Sequence, residues 1–160
     1  MKVWINGDFY DRDQAKASVF DAGFQHGVGL FETMQARGKH VFRLDDHLRR
    51  LHDSARELGL TERLQEQPLA EAVQRTVEEN AFPKTRIRLT LTGGDLNLLT
   101  KDGVSQVDPT ILIVAQPSTP YPEDYFHNGV TVVVSDGRLN PLDPTSCLLY
   151  TSPSPRDSRR

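Results

Sequence analysis

Apolar residues recur at two different spacings along the chain, and the change of spacing divides it into helices and strands. In "LDDHLRRLHDSARELGL" the residues Leu44, Leu48, Leu51, Ala55 and Leu58 are separated by four, three, four and three positions, one face of an α-helix. Asp45 is the candidate N-cap of this helix and Gly59 its stop. "LAEAVQRTVEENAF" repeats the period with Leu69, Ala72, Val73, Val77 and Ala81. In "KTRIRLTLTGG" the period falls to two. Ile87, Leu89 and Leu91 face one way there, and Arg86, Arg88, Thr90 and Thr92 the other, as in a half-buried strand. "TILIVAQP" is nearly all apolar and reads as a central strand, and "GVTVVVS" as a further one. "VWINGDFY" folds back at Asn6-Gly7, a pair that tolerates the positive φ angles of a two-residue hairpin turn. "LFETMQARGKHVFRL" makes a second hairpin at Arg37-Gly38-Lys39. The order β, β, β, β, α, α, β, β predicts an α+β fold, an antiparallel sheet with two helices on one face. In that fold the apolar stripe of the first helix packs against Ile87, Leu89 and Leu91.

The proline-rich stretch "PSTPYPEDYFHNG" reads as a linker. It divides the chain into an N-terminal α+β domain over 1–118, a linker over 119–128 and the start of a second domain over 129–146. From Cys147 the text is Ser, Pro and Arg without period, so 147–160 reads as a disordered tail. A net charge of −3 and pI near 5.9, with arginines interleaved among acids, give no basic field for nucleic acid. No apolar run approaches the ~18 residues of a membrane span. "MKVWINGDFY" turns polar too early for a secretory signal, so a cytoplasmic location is expected. A single cysteine excludes an internal disulfide, and no neighbouring base marks it as a nucleophile.

Phase along the first helix separates its adjacent arginines. Arg50 shares a polar flank with Arg43, His47 and Ser54, whereas Arg49 lies between Asp45 and Asp53. Arg50 also has Asp46 four residues before it, but its row carries more positive than negative charge. A guanidinium there can grip a dianionic phosphate through two parallel hydrogen bonds, although the same row also reads as a hydrophilic helix flank. His47 and His52 are five apart and point about 140° away from each other, which disfavours a shared metal. "DAGFQHGVG" holds three glycines in seven residues, the mark of backbone that turns sharply or approaches something closely. His26 within it is a candidate acid, base or substrate contact, or an ordinary surface group. "GVGLF" lacks a full phosphate-loop fingerprint and leads into a strand.

Taken in order, "ING", "DAGFQHGVGLFET" and "HLRRLHDSA" resemble the N-terminal part of the class IV aminotransferases, the fold-type-IV enzymes that use pyridoxal 5'-phosphate. The resemblance spans residues 3 to 145. Branched-chain aminotransferases, D-amino-acid aminotransferases and aminodeoxychorismate lyases are members. It implies that Arg50, in the "HxxRL" pattern of His47, Arg50 and Leu51, holds the cofactor phosphate. It also implies that His26, Phe31 and Thr33 edge the substrate pocket and that Arg88 meets a substrate's acidic group. "TLTGGD" departs from the arginine-bearing pattern of the D-amino-acid enzymes. The expected partners are an amino acid, a 2-oxo acid and a second copy in a homodimer. In similar enzymes a Schiff-base lysine follows the segment resembling "LNPLDPT". Here "CLLYTSPSPRD" follows instead and resembles translated sequencing-adapter sequence. None of Lys2, Lys16, Lys39, Lys84 and Lys101 occupies the catalytic position, so the chain as written is expected to be an inactive fragment of an aminotransferase. The alternatives are a lyase of the aminodeoxychorismate type and a non-catalytic interaction domain.

Overall fold

The computed structural model describes residues 1–95 and 108–134. The expected tail over 147–160, most of the second-domain start and Lys101 lie outside the described residues. The elements run β1 (Lys2–Ile5), β2 (Asp8–Asp11), α1 (Ala22–His26), β3 (Gly29–Arg37), β4 (His40–Val41), α2 (Leu44–Glu57), α3 (Glu66–Asn80), β5 (Lys84–Thr92), β6 (Ile111–Pro117) and α4 (Glu123–His127).

The six strands form one antiparallel sheet in the order β2-β1-β6-β5-β3-β4. Both hairpins form where the turn chemistry placed them. Asn6 and Gly7 have φ of 47° and 111°, the two positive values that a turn matching the strand twist requires. β6 lies between β1 and β5, so both of its edges are paired; Ile113 and Ala115 are buried on the helix side, and Leu112 and Val114 are half-buried on the other. The longest pairing, β3 with β5, aligns Thr33 with Arg88 and Glu32 with Leu89.

Alternation gives the sheet two faces. Leu30, Met34, Ile87, Leu89, Leu91 and Ile113 point to one side and are covered by α2 and α3. Leu48, Leu51 and Ala55 of α2 join them, as do Leu69, Ala72, Val73 and Val77 of α3. The stripe of α2 is thus buried in its middle. Its ends are not, since Leu44 is only partly buried and Leu58 is 37% exposed. At the far end of α3, Asn80 bridges to β1. Its Oδ1 accepts the Lys2 N–H at 2.9 Å and its Nδ2 donates to the Lys2 carbonyl at 2.9 Å, which ties the helix layer to the outer hairpin.

Four local expectations differ from what is seen. α2 begins one residue before Asp45, after Arg43 in the left-handed conformation (φ 51°), and no side chain caps it. β4 feeds the helix almost directly, so Asp45 falls inside the first turn, where its charge still opposes the helix dipole. The glycine-rich stretch contains a one-turn helix, α1, and the linker contains another, α4, all of whose residues are exposed. Finally, 129–134 of the expected strand "GVTVVVS" is irregular and exposed. A strand is held by hydrogen bonds to a neighbour, and this stretch has none among the described residues.

Candidate functional site

The glycine-rich turn is clamped to the end of β5. Asp21, 4% exposed, caps α1 by accepting the Gly23 N–H at 2.7 Å, and it also accepts the Thr92 hydroxyl at 2.8 Å. Ala22 N–H donates to the Gly94 carbonyl at 2.7 Å, and Gly93 N–H to the Val28 carbonyl at 3.2 Å. Two glycines allow this approach. A Cβ on Gly23 would lie 2.5 Å from Thr92 Cγ2, and one on Gly29 would lie 2.8 Å from the Leu91 carbonyl oxygen. His26 ends α1 and is exposed.

Arg50 sits on the α2 side of the sheet, and its partner there is Glu32 rather than Asp46. Glu32 occupies an inward position of β3 between Leu30 and Met34 and is 1% exposed. Arg50 Nε donates to Glu32 Oε1 at 2.7 Å, and Nη2 makes a short bond to Oε2, the two-pronged geometry that a guanidinium and a carboxylate share. His47 Nδ1 lies 2.7 Å from Oε2. A carboxylate only accepts, so the ring proton belongs on Nδ1, and the 3.4 Å approach of Arg50 Nη2 to that nitrogen sets two donors side by side. The positive row therefore has carboxylate partners, with Glu32 meeting Arg50 and His47 from the strand beneath and Asp46 meeting Arg43. The opposite edge of the Arg50 guanidinium has no hydrogen-bond partner among the described residues. The side chain is 53% exposed.

Burial alone pushes the Glu32 carboxyl up, but the hydrogen bonds of His47 and Arg50 and their charges outweigh it and hold the group below its ordinary value. A lowered folded pKa contributes stability that is fully present above the unfolded glutamate value of about 4.3 and is lost as pH falls through the folded value. The wild-type chain is therefore expected to lose stability on acidification below about pH 4, more steeply than Glu32→Gln does. Urea melts at a series of acidic pH values check this, and parallel slopes for the two proteins would contradict it.

Phe31, Thr33 and Arg88 come together on the other face of the sheet. Arg88 Nη1 donates to Thr33 Oγ1 at 3.2 Å, and its guanidinium carbon lies 3.2 Å from the centre of the Phe31 ring. The sheet thus separates this cluster from Arg50. His26 makes no hydrogen bond to either group, although α1 borders the open face through Gly23 and Thr92. A cleft of about 700 Å³ between the Asn6-Gly7 turn, the loop after α2 and the start of β6 is lined by none of these residues. Among the described residues no cluster has the composition of a metal site, and no helix is long and apolar enough to cross a membrane. Glu32 and the Asp21–Thr92 clamp went unread in the sequence. The signal for Glu32 was a carboxylate in the apolar phase of "LFETMQA", which demands a cationic partner on the packed face.

Comparison with known proteins places the chain in a family. Residues 29–147 match the model of the amino-transferase class IV family, to which the chain belongs. A Methanocaldococcus jannaschii protein, named provisionally as a branched-chain-amino-acid aminotransferase, is 36% identical over 146 residues, covering 90% of this chain and 50% of the relative. Among solved structures, the branched-chain aminotransferase from Thermoproteus uzoniensis with norvaline superposes with a TM-score of 0.63 at 33% identity, over 73% of this chain and 40% of that one. The 4-amino-4-deoxychorismate lyase from Pseudomonas aeruginosa does so with a TM-score of 0.62 at 27% identity, over 80% and 44%. The chain therefore spans about half the length of these relatives or less.

Proposed function

We propose that this chain is the N-terminal part of a pyridoxal-phosphate-dependent aminotransferase that moves an amino group between an amino acid and a 2-oxo acid. The observation that carries the reading is the posture of Arg50: Glu32 grips one edge of its guanidinium from below, and the other edge faces outward, where a phosphate can bind it. The described residues fit the cofactor to that extent. Pyridoxal phosphate, when bound, supplies the electron sink for chemistry at the amino acid's α-carbon. Arg50 fixes its phosphate. Arg88, held by Thr33 and stacked on Phe31, orients an acidic group of the substrate, and His26 edges the pocket from the glycine-rich turn. Residues 1–118 form the small domain, 119–128 the linker and 129–146 the start of the cofactor-binding domain of a cytoplasmic homodimer. The covalent lysine and the rest of the phosphate cup come from sequence other than the described residues.

Arg50 as one charge-assisted contact contributes about 1.5 to 3 kcal/mol, which alone corresponds to millimolar or weaker binding. The 160-residue chain is therefore expected to bind pyridoxal phosphate weakly, to lose even that with Arg50→Gln, and to give no turnover. Absorbance titration followed by borohydride trapping and peptide mapping checks this. A stoichiometric adduct at one lysine, together with turnover of an amino acid and an oxo acid, would overturn it. The lyase relative supports a second reading, which the whole protein distinguishes by forming product without any 2-oxo acid acceptor.

A further inference from the structure

The cleft beside the Asn6-Gly7 turn lies on the helix side of the sheet. Trp4 in its wall pairs with the buried Ile113, whereas Arg88 pairs with Val114 and faces the open side, so the sheet separates the cleft from the Phe31, Thr33 and Arg88 cluster. Its floor is the rim of the core. Leu64 and Leu69 belong to the buried cluster, and Trp4, Leu60 and Ile111 pack against it while staying partly open. A volume of about 700 Å³ falls within the span of about 300 to 1,000 Å³ that small-molecule sites occupy. Both walls are fixed. On one side Asn6 N–H donates to the Ile111 carbonyl at 3.1 Å and Asn6 Oδ1 accepts the Ile111 N–H at 2.7 Å. On the other, Leu60 N–H donates to the Ala55 carbonyl at 2.9 Å and Arg63 N–H to Thr61 Oγ1 at 3.1 Å. Among the lining residues only Glu62, Arg63 and Asp108 are charged, and all three are exposed at the mouth. Arg63 Nη1 and Asp108 Oδ1 are 3.9 Å apart, with side chains 70% and 87% exposed, so this pair is weak and opens at little cost.

We propose that this cleft is a second ligand site, which takes a zwitterionic α-amino acid with an aromatic side chain. An apolar hollow with opposite charges side by side at its mouth matches a molecule that has an apolar side chain and a dipolar head. The ring enters against the Trp4 indole and the leucines, where its burial supplies most of the affinity. At the mouth the ligand's carboxylate meets Arg63 and its ammonium meets Asp108, which replaces one weak pair with two contacts. Glu62 adds a second carboxylate, so a ligand with only one charge binds better as an amine than as an acid.

Trp4 is the single tryptophan of the chain, and its fluorescence therefore reports occupancy of the cleft. L-Phenylalanine, phenethylamine and 3-phenylpropionate share a phenyl ring and differ in the charge of the head group. In titrations of the full chain at fixed ionic strength, phenylalanine is expected to saturate the Trp4 signal in the millimolar range. It should bind about threefold more tightly than phenethylamine, with phenylpropionate weakest. Arg63→Gln should abolish the advantage of phenylalanine over phenethylamine. Glu62→Gln combined with Asp108→Asn should reverse the order of the amine and the acid. Pro68→Phe, which adds bulk to the wall at a position where a helix accepts phenylalanine more readily than proline, should weaken all three. Arg88→Gln, on the open face, should leave the Trp4 response unchanged. A signal that does not saturate, equal binding of the three compounds, an advantage that survives Arg63→Gln, or a response lost with Arg88→Gln would each overturn the proposal. The proposed function rests on Arg50 and Arg88 and stands or falls separately.

Discussion

Arg50→Ala is expected to destabilise the fold by about 3 kcal/mol, in addition to weakening any phosphate contact. The reason lies beneath the helix. Glu32 is almost wholly buried between Leu30 and Met34, and two of its hydrogen bonds come from Arg50. Removing the guanidinium leaves a carboxylate in an apolar layer with His47 as its remaining partner, which places the cost at the lower end of the range for breaking a buried pair. The variant Glu32→Gln combined with Arg50→Ala removes the buried charge as well, and it should recover most of the stability while phosphate binding stays lost. Urea melts of the single and double variants separate the two roles. A loss below about 0.5 kcal/mol for Arg50→Ala would show that the carboxylate does not depend on it.

Leu51→Ala is expected to cost about 3 kcal/mol through lost burial and the cavity left behind. Leu51 is fully inaccessible, in the middle of the α2 stripe and the centre of the core cluster. Leu58 belongs to the same stripe on paper but is 37% exposed at the helix end, so Leu58→Ala should cost less than about 1 kcal/mol. The contrast tests the placement of the helix rather than the general cost of removing a leucine. Equal losses at the two positions, measured by denaturant midpoint, would contradict the packing described here.

Elements long enough to show a period were legible in the sequence: α2, α3 and β5 by spacing, β6 by its unbroken apolar run, and β1–β2 by Asn6-Gly7. α1 and α4 were not, because five residues are too few for a helical period to register. The expected strand beginning at Gly129 shows the opposite limit, since β-branched composition supplies a propensity but not the neighbour that a strand requires. The place of Arg50 on the polar flank of α2 was legible through helix phase, but its partner was not. Glu32 lies eighteen residues away on another element, and only the packing of α2 on β3 joins them. Thr33 and Arg88 are likewise adjacent only through the β3–β5 register across a separation of 55 residues.

That register carries a consequence for how the chain can vary. Successive residues of β3 serve opposite sides, with Glu32 turned to the helices and Phe31 and Thr33 to the open face. An insertion or deletion of one residue would exchange these assignments, driving Phe31 into the core and leaving Glu32 among the arginines of β5. The tight seat of Gly29 against the Leu91 carbonyl stops the strand at one end, and the two-residue turn before His40 stops it at the other. Changes of length are therefore excluded from β3 more strictly than changes of side chain, because a single slip would break the Glu32–Arg50 pair and the Phe31–Thr33–Arg88 cluster together.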